Sequence, residues 1–201
     1  MIICRKFVFL HLHKSGGTFV NHMMMKCIPS ARRIGYHLPY SQIPDAFRHL
    51  PVLGTVRNPW DYYVSWYHFQ AGQSKPNALF KICSEDATLD FSATVRNLVT
   101  LCEAPERVDR LKAAFPEHFV NYGLNLTRDC IENVRASGLG FYTFLHDRLY
   151  AGADDPRILR METLRKDLPG VLTGLSGPER MLVDDFLRSV PDLNVSDHKP
   201  Y

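Results

Sequence analysis

The chain has 201 residues, 45% of them apolar and 22% charged, which suits one globular domain over residues 1–201 and excludes a disordered composition. Its 24 Lys and Arg against 21 Asp and Glu leave a formal charge of +3, too small an excess for a nucleic-acid-binding surface. The five cysteines, Cys4, Cys27, Cys83, Cys102 and Cys130, are scattered with no C-x-x-C pair, so neither a disulfide framework nor a zinc site is expected. The start "MIICRK" lacks the order of a signal peptide, and no apolar run reaches the roughly 18 residues of a membrane span. A cytoplasmic protein is therefore expected, and the sequons at Asn125 and Asn194 carry no weight.

In chain order, Lys6 to Leu12, rich in Phe and interrupted by His11, reads as a short parallel strand buried on both faces. Thr18 to Cys27 reads as a helix, "ARRIGY" as a weaker strand, Ser41 to Leu50 as a short helix with a serine cap, and "PVLGTV" as another buried strand. Strand, helix, strand, helix, strand implies right-handed crossovers and an α/β sheet with few parallel strands.

The strongest helix start follows in "RNPWDYYVSWYHF": Asn58 suits the N-cap, Pro59 the first helical position and Asp61 the third. Trp60, Tyr63, Val64 and Tyr67 have the spacing of a buried stripe. Residues 71–90 read as a surface excursion. Helical periodicity resumes in Phe91 to Leu101, Glu106 to Phe115 and Leu126 to Arg135, and "SGLGFYTF" breaks the run. "RILRME" predicts one more strand, with helices near Thr163 to Leu172 and Pro178 to Val190, so the second half is helix-rich.

The loop "HKSGGT" between a buried strand and a helix puts successive backbone N–H groups around a concavity at a helix N-terminus, an arrangement that holds phosphate or sulfate oxygens. The glycines allow close approach of an anion, Lys14 adds a point charge and Thr18 a hydroxyl. In the triphosphate-binding pattern G-x-x-x-x-G-K-[ST] the lysine follows the glycines; here Lys14 precedes them, which fits a nucleoside triphosphatase or kinase less well.

Arg57 ends a predicted strand and Ser65 lies two turns into the next helix. C-terminal strand ends of a parallel sheet share one edge, so Arg57 and the first loop should face one crevice. Two anion sites on one edge suit a nucleotide phosphorylated at two separate places.

"HLHKSGGTFV" resembles the 5'-phosphosulfate loop, and "GTVRNPWDYYVSWYHF" the 3'-phosphate segment, of sulfotransferases that use 3'-phosphoadenosine 5'-phosphosulfate (PAPS), particularly the branch containing carbohydrate sulfotransferases. "ILRMETL" and "LNVSDHKPY" are similar to C-terminal segments of that branch, whose members run on beyond it, so the end at Tyr201 reads as a truncation. The resemblance implies a P-loop-like three-layer fold with a short parallel sheet, and sulfuryl transfer to a hydroxyl or amine of a small-molecule or carbohydrate acceptor. It places Lys14 at the bridging oxygen of the phosphosulfate. Ser15, Gly16, Gly17, Thr18 and Phe19 would hold the 5' side of the donor, and Arg57 and Ser65 its 3'-phosphate. It implies 3'-phosphoadenosine 5'-phosphate (PAP) as product and no metal.

His13 departs from the family pattern, which has proline before the lysine, whereas His11 matches it. His11 and His13 share a strand face, but no third ligand nearby suggests a metal. Sulfuryl transfer to an alcohol calls for a base, and His37 in "GYHLPYSQIP" follows the second strand on the same edge, where members of this branch use a histidine or glutamate. His22, His68 and Glu162 are weaker candidates. The acceptor pocket is expected from loops and the helical half, including residues 71–90 and "GLGFYTF". Two alternatives stand beside this reading: an ATP-dependent small-molecule kinase, and a catalytically silent nucleotide-binding protein.

Overall fold

The computed structural model describes residues 1–121 and 123–191. The stretch "LNVSDHKPY" lies outside the described residues. The chain forms two compact units, one built from Met1–Asn58 and the segment that begins at Leu149, the other from Pro59–Arg148.

The first unit opens with β1 (Ile2–Ile3), a tight turn, and β2 (Val8–Leu10), every residue of which is buried, as the apolar run predicts. Helix α1 (Gly17–Cys27) follows, with Gly16 as N-cap and Lys26 in the last turn, and it ends two residues before Pro29. The strand expected in "ARRIGY" shrinks to β3 (Arg32–Arg33). The helix expected over Ser41 to Leu50 is instead two 3-10 turns, Tyr40–Gln42 and Asp45–Phe47, each opened by a proline at its N-cap. Pro44 holds Ile43 extended and cannot donate to an α-helical ladder, so the two turns cannot merge. Strand β4 (Val52–Val56) then ends the first pass through the sheet.

The second unit is helical. Helix α2 (Pro59–Ala71) starts at the predicted proline with Asp61 in its first turn. Its buried face differs from the predicted stripe: Tyr62, Tyr63, Val64, Ser65 and Trp66 are buried, while Trp60 is 68% exposed. The expected excursion over residues 71–90 holds α3 (Ala78–Cys83), capped by Asn77, with Leu79 and Phe80 fully buried. Phe80 packs at 5.7 Å from Trp66, a burial worth about 2 kcal/mol that outweighs the polar flanks. Helices α4 (Phe91–Val99), α5 (Pro105–Ala114) and α6 (Arg128–Ser137) match the predicted periodicity, and Lys112 meets Glu132 at 2.6 Å between the last two. Gly138, at φ 64°, ends α6, and the chain resumes at once as α7 (Phe141–Tyr150), so "SGLGFYTF" is a break followed by a helix.

The chain returns as β5 (Arg157–Arg160), a 3-10 turn, α8 (Leu164–Val171) and α9 (Gly177–Ser189), the last opened by a Ser176–Glu179 capping box. The sheet order is β3-β1-β2-β4-β5. β2, β4 and β5 are parallel, and β1 runs antiparallel to both neighbours, so four of the five strands point one way. Phe9, Phe19, Met23, Met24, Leu53, Leu159, Leu168 and Phe186 form the apolar core of this unit. The fold is α/β with a short, mostly parallel sheet and a helix-rich C-terminal half, as expected.

Candidate active site

Because β2, β4 and β5 are parallel, the residues that follow them emerge along one edge. From β2 the chain enters the loop His11–Gly16, where Lys14 (φ 58°) and Gly16 (φ 79°) are left-handed on either side of Ser15. Such alternation turns consecutive N–H groups toward a common concavity. Ser15 is fully buried and its hydroxyl donates to the His13 carbonyl at 3.4 Å. The α1 N-cap, Gly16, offers no side chain, and the first turn holds no acidic residue, so the positive helix end faces this loop without a built-in anion.

The two glycines are required for different reasons. A Cβ on Gly16 would sit 3.1 Å from Leu164 Cδ2 and 3.2 Å from Met161 Cγ, in a backbone conformation that other residues resist. A Cβ on Gly17 would fall 1.8 Å from Cδ2 of His11, whose ring occupies that space. Phe19 points into the core, its ring 5.3 Å from Phe186 and 4.4 Å below the Arg165 guanidinium.

Arg57 follows β4, and its Nη1 donates to the Lys14 carbonyl at 3.3 Å, joining the two predicted anion-binding residues. Burial, and then the charge of Arg57, hold the Lys14 ammonium below its ordinary pKa. The end of β4 is fixed from two sides. The Tyr150 hydroxyl accepts from Thr55 N–H at 3.1 Å and donates to Thr55 O at 3.3 Å, and Glu162 Oε1 accepts from Asn58 N–H at 2.7 Å. Glu162, a weaker base candidate from the sequence, thus holds backbone. Tyr150 was not foreseen; the signal for it was Gly54 inside a buried strand, since a Cβ there would meet the Tyr150 hydroxyl at 2.1 Å.

His37, at φ 51°, reaches back so that its Nδ1 lies 2.8 Å from the His11 carbonyl. A carbonyl only accepts, so Nδ1 carries the proton and the lone pair of the neutral ring falls on Nε2. The His37 ring lies 4.5 Å from His11 and 5.4 Å from His13. His11 is buried, accepts from Asn21 Nδ2 at 3.2 Å, and is held neutral well below its ordinary pKa by burial first and the neighbouring histidines second. The structure thus brings a third histidine to the pair seen in the sequence. Among the described residues, however, no group of three or more His, Cys, Asp or Glu is arranged to hold a metal ion.

Ser65 lies in the second unit, buried on α2. His22 is exposed on α1, and His68 is exposed on α2 with its ring stacked at 6.3 Å on Phe91.

Residues 11–121, more than half of the chain, match the family model of the sulfotransferase domain. The chain belongs to the sulfotransferase family. The matched span of this sulfotransferase contains the loop, His37, Arg57 and Ser65. No curated protein matches the chain. The reaction class is sulfuryl transfer, in which negative charge builds on the leaving group, and cations and backbone amides are the groups that stabilise it. No helix among the described residues of the sulfotransferase is long and apolar enough to cross a membrane.

Proposed function

We propose that this sulfotransferase takes its sulfuryl group from PAPS and delivers it to a hydroxyl or amine of a small-molecule or carbohydrate acceptor. The observation that carries this reading is the joining of Lys14 and Arg57 beside an uncapped helix N-terminus: a half-buried ammonium and a guanidinium set together at a positive helix end invite a multiply charged anion. The loop fits such a donor on its own geometry, because its two left-handed residues make an anion nest at a helix end with no acidic residue of its own.

When bound, the donor supplies a sulfuryl group attached to a phosphate leaving group. Lys14 neutralises charge at the bridging oxygen. The amides of Ser15, Gly16, Gly17 and Thr18, with the Thr18 hydroxyl, hold the 5'-phosphate. Arg57 and Ser65 hold the 3'-phosphate, and Phe19 supports the loop from the core side. His37 receives the acceptor proton on Nε2, its ring fixed by the bond from Nδ1 to the His11 carbonyl. The five cysteines are free, which fits a reducing, cytoplasmic setting.

The test is thermal stabilisation by PAP against magnesium-ATP, in wild type and in Lys14→Ala and Arg57→Ala. PAP should stabilise wild type and lose most of its effect in both variants. Preference for magnesium-ATP, or indifference to loss of Arg57, would overturn the reading. Acceptor turnover in His37→Gln should fall by about 10²-fold or more with PAP stabilisation retained.

A further inference from the structure

A cavity of about 420 Å³ lies on the outer face of α1 in the first unit. One wall is helical, from Thr18, Asn21, His22 and Lys26, whose spacing of three, four and eight residues places them on a single face. The other wall is Arg33 and Tyr36, at and just after β3. Thr18 belongs to the proposed donor loop, Tyr36 immediately precedes the proposed base, and Asn21 is bonded to His11, whose ring lies 4.5 Å from that of His37, so the cavity lining adjoins the residues that carry the chemistry.

Its lining holds two permanent cations and no carboxylate. Both cations are held in place. The Arg33 Nη1 donates to the Tyr36 hydroxyl at 2.8 Å with its guanidinium 5.0 Å over the Tyr36 ring, and Lys26 Nζ lies 5.9 Å over the Phe186 ring. Asn21 gives its amide N–H to His11, while its buried Oδ1 has no partner, a cost that a bound hydroxyl donor would remove. A larger cavity of about 620 Å³ beside Cys4, Arg5 and Lys6 differs in kind: it includes Glu179, whose carboxyl is held below its ordinary pKa by hydrogen bonds from Ser176 first and by Lys6 and Arg5 after them.

We propose that the α1 cavity is an acceptor subsite, and that the acceptor is a hydroxylated small molecule bearing a carboxylate or sulfate ester. The anionic group lies between Lys26 and Arg33, and its hydroxyls reach toward Asn21 and the His37 side. This rests on the sulfuryl-transfer reading of the loop and of His37. Preorganised cations in a cavity without a carboxylate select the charged member of any pair of otherwise matched acceptors.

The experiment uses two matched pairs on the full chain, methyl β-D-glucuronide against methyl β-D-glucoside, and 4-hydroxybenzoate against 4-hydroxybenzamide. Binding is read by calorimetry with and without PAP, in wild type, Lys26→Gln, Arg33→Gln and Arg33→Glu. Wild type should favour the anion in at least one pair by about tenfold. Each neutral substitution should erase most of that preference and Arg33→Glu should reverse it, with PAP affinity and the unfolding midpoint unchanged. Equal binding within both pairs, or a preference that survives Lys26→Gln and Arg33→Gln, would overturn the subsite. Charge preference in a protein that fails to bind PAP would overturn the donor reading and leave the subsite standing.

Discussion

The Arg57 guanidinium donates to the backbone carbonyl of Lys14 at 3.3 Å, so the residue that ends one parallel strand is tied to the loop that follows its neighbour. Loss of this cation removes both a bond that shapes the loop and a charge offered to the donor. Arg57→Ala should weaken PAP binding by about tenfold or more, read by calorimetry, and should weaken adenosine 5'-phosphosulfate, which lacks the 3'-phosphate, much less.

Lys14 should behave in the opposite sense in the free protein. Its pKa is lowered in the fold, so the unfolded chain binds that proton more tightly, and the charged form costs stability at neutral pH. Lys14→Gln should therefore raise the ligand-free Tm slightly, by about 1–2 °C, while lowering turnover by about 10²-fold or more. In wild type the cost fades as pH climbs through the lowered pKa, and activity that needs the ammonium falls off before the ordinary lysine value of 10.5 is reached. Denaturation and rate measurements between neutral and alkaline pH check both limbs.

Gly17→Ala should destabilise the fold by about 1–3 kcal/mol, because the new Cβ must displace the His11 ring. His11→Ala in the same chain removes the obstacle, so the double variant should recover part of the loss in urea melts. A double variant no more stable than Gly17→Ala alone would show that the ring is not what excludes the methyl group.

His11 should also set part of the acid limit. The folded state keeps it neutral well below pH 6.5, whereas the unfolded chain protonates it near that value, so stability falls as pH drops below about 6.5. Relative to wild type, His11→Gln should flatten the dependence by up to one proton, about 1.4 kcal/mol per pH unit. Urea melts at pH 7.5 and 5.5 supply the comparison.

Tyr150→Phe deletes both bonds to Thr55 and leaves the backbone of a central strand short of a partner. A loss of about 1–3 kcal/mol is expected, together with weaker PAP binding as the end of β4 loosens ahead of Arg57. Normal PAP affinity in a destabilised variant would confine Tyr150 to the core.

β2, α1 and β4 were legible because β2 and β4 are short apolar runs and the loop between β2 and α1 has its own glycine signature, whereas β1 and the two 3-10 turns in place of a helix over Ser41 to Leu50 were not. The edge shared by Lys14 and Arg57 followed from parallel strand direction alone. Three things were hidden. The reversal of β1 depends on a four-residue turn whose residues carry no distinct turn signal. The buried face of α2 was misjudged because Trp60, Tyr62, Tyr63, Trp66, Tyr67 and Phe69 spread over more than one side of the helix, so periodicity cannot choose a side. The third, the cavity on α1, needs Arg33 and Tyr36 to return beside a helix that precedes them, which is tertiary information.

The uncapped start of α1 has a practical corollary. A helix end with no acidic residue of its own, set beside two cations, will collect whatever inorganic oxyanion the medium supplies. Phosphate or sulfate buffers should make the protein look sturdier and its donor weaker at the same time, with an apparent KM that climbs with buffer concentration. Kinetics in a zwitterionic buffer and chloride would then give the intrinsic values.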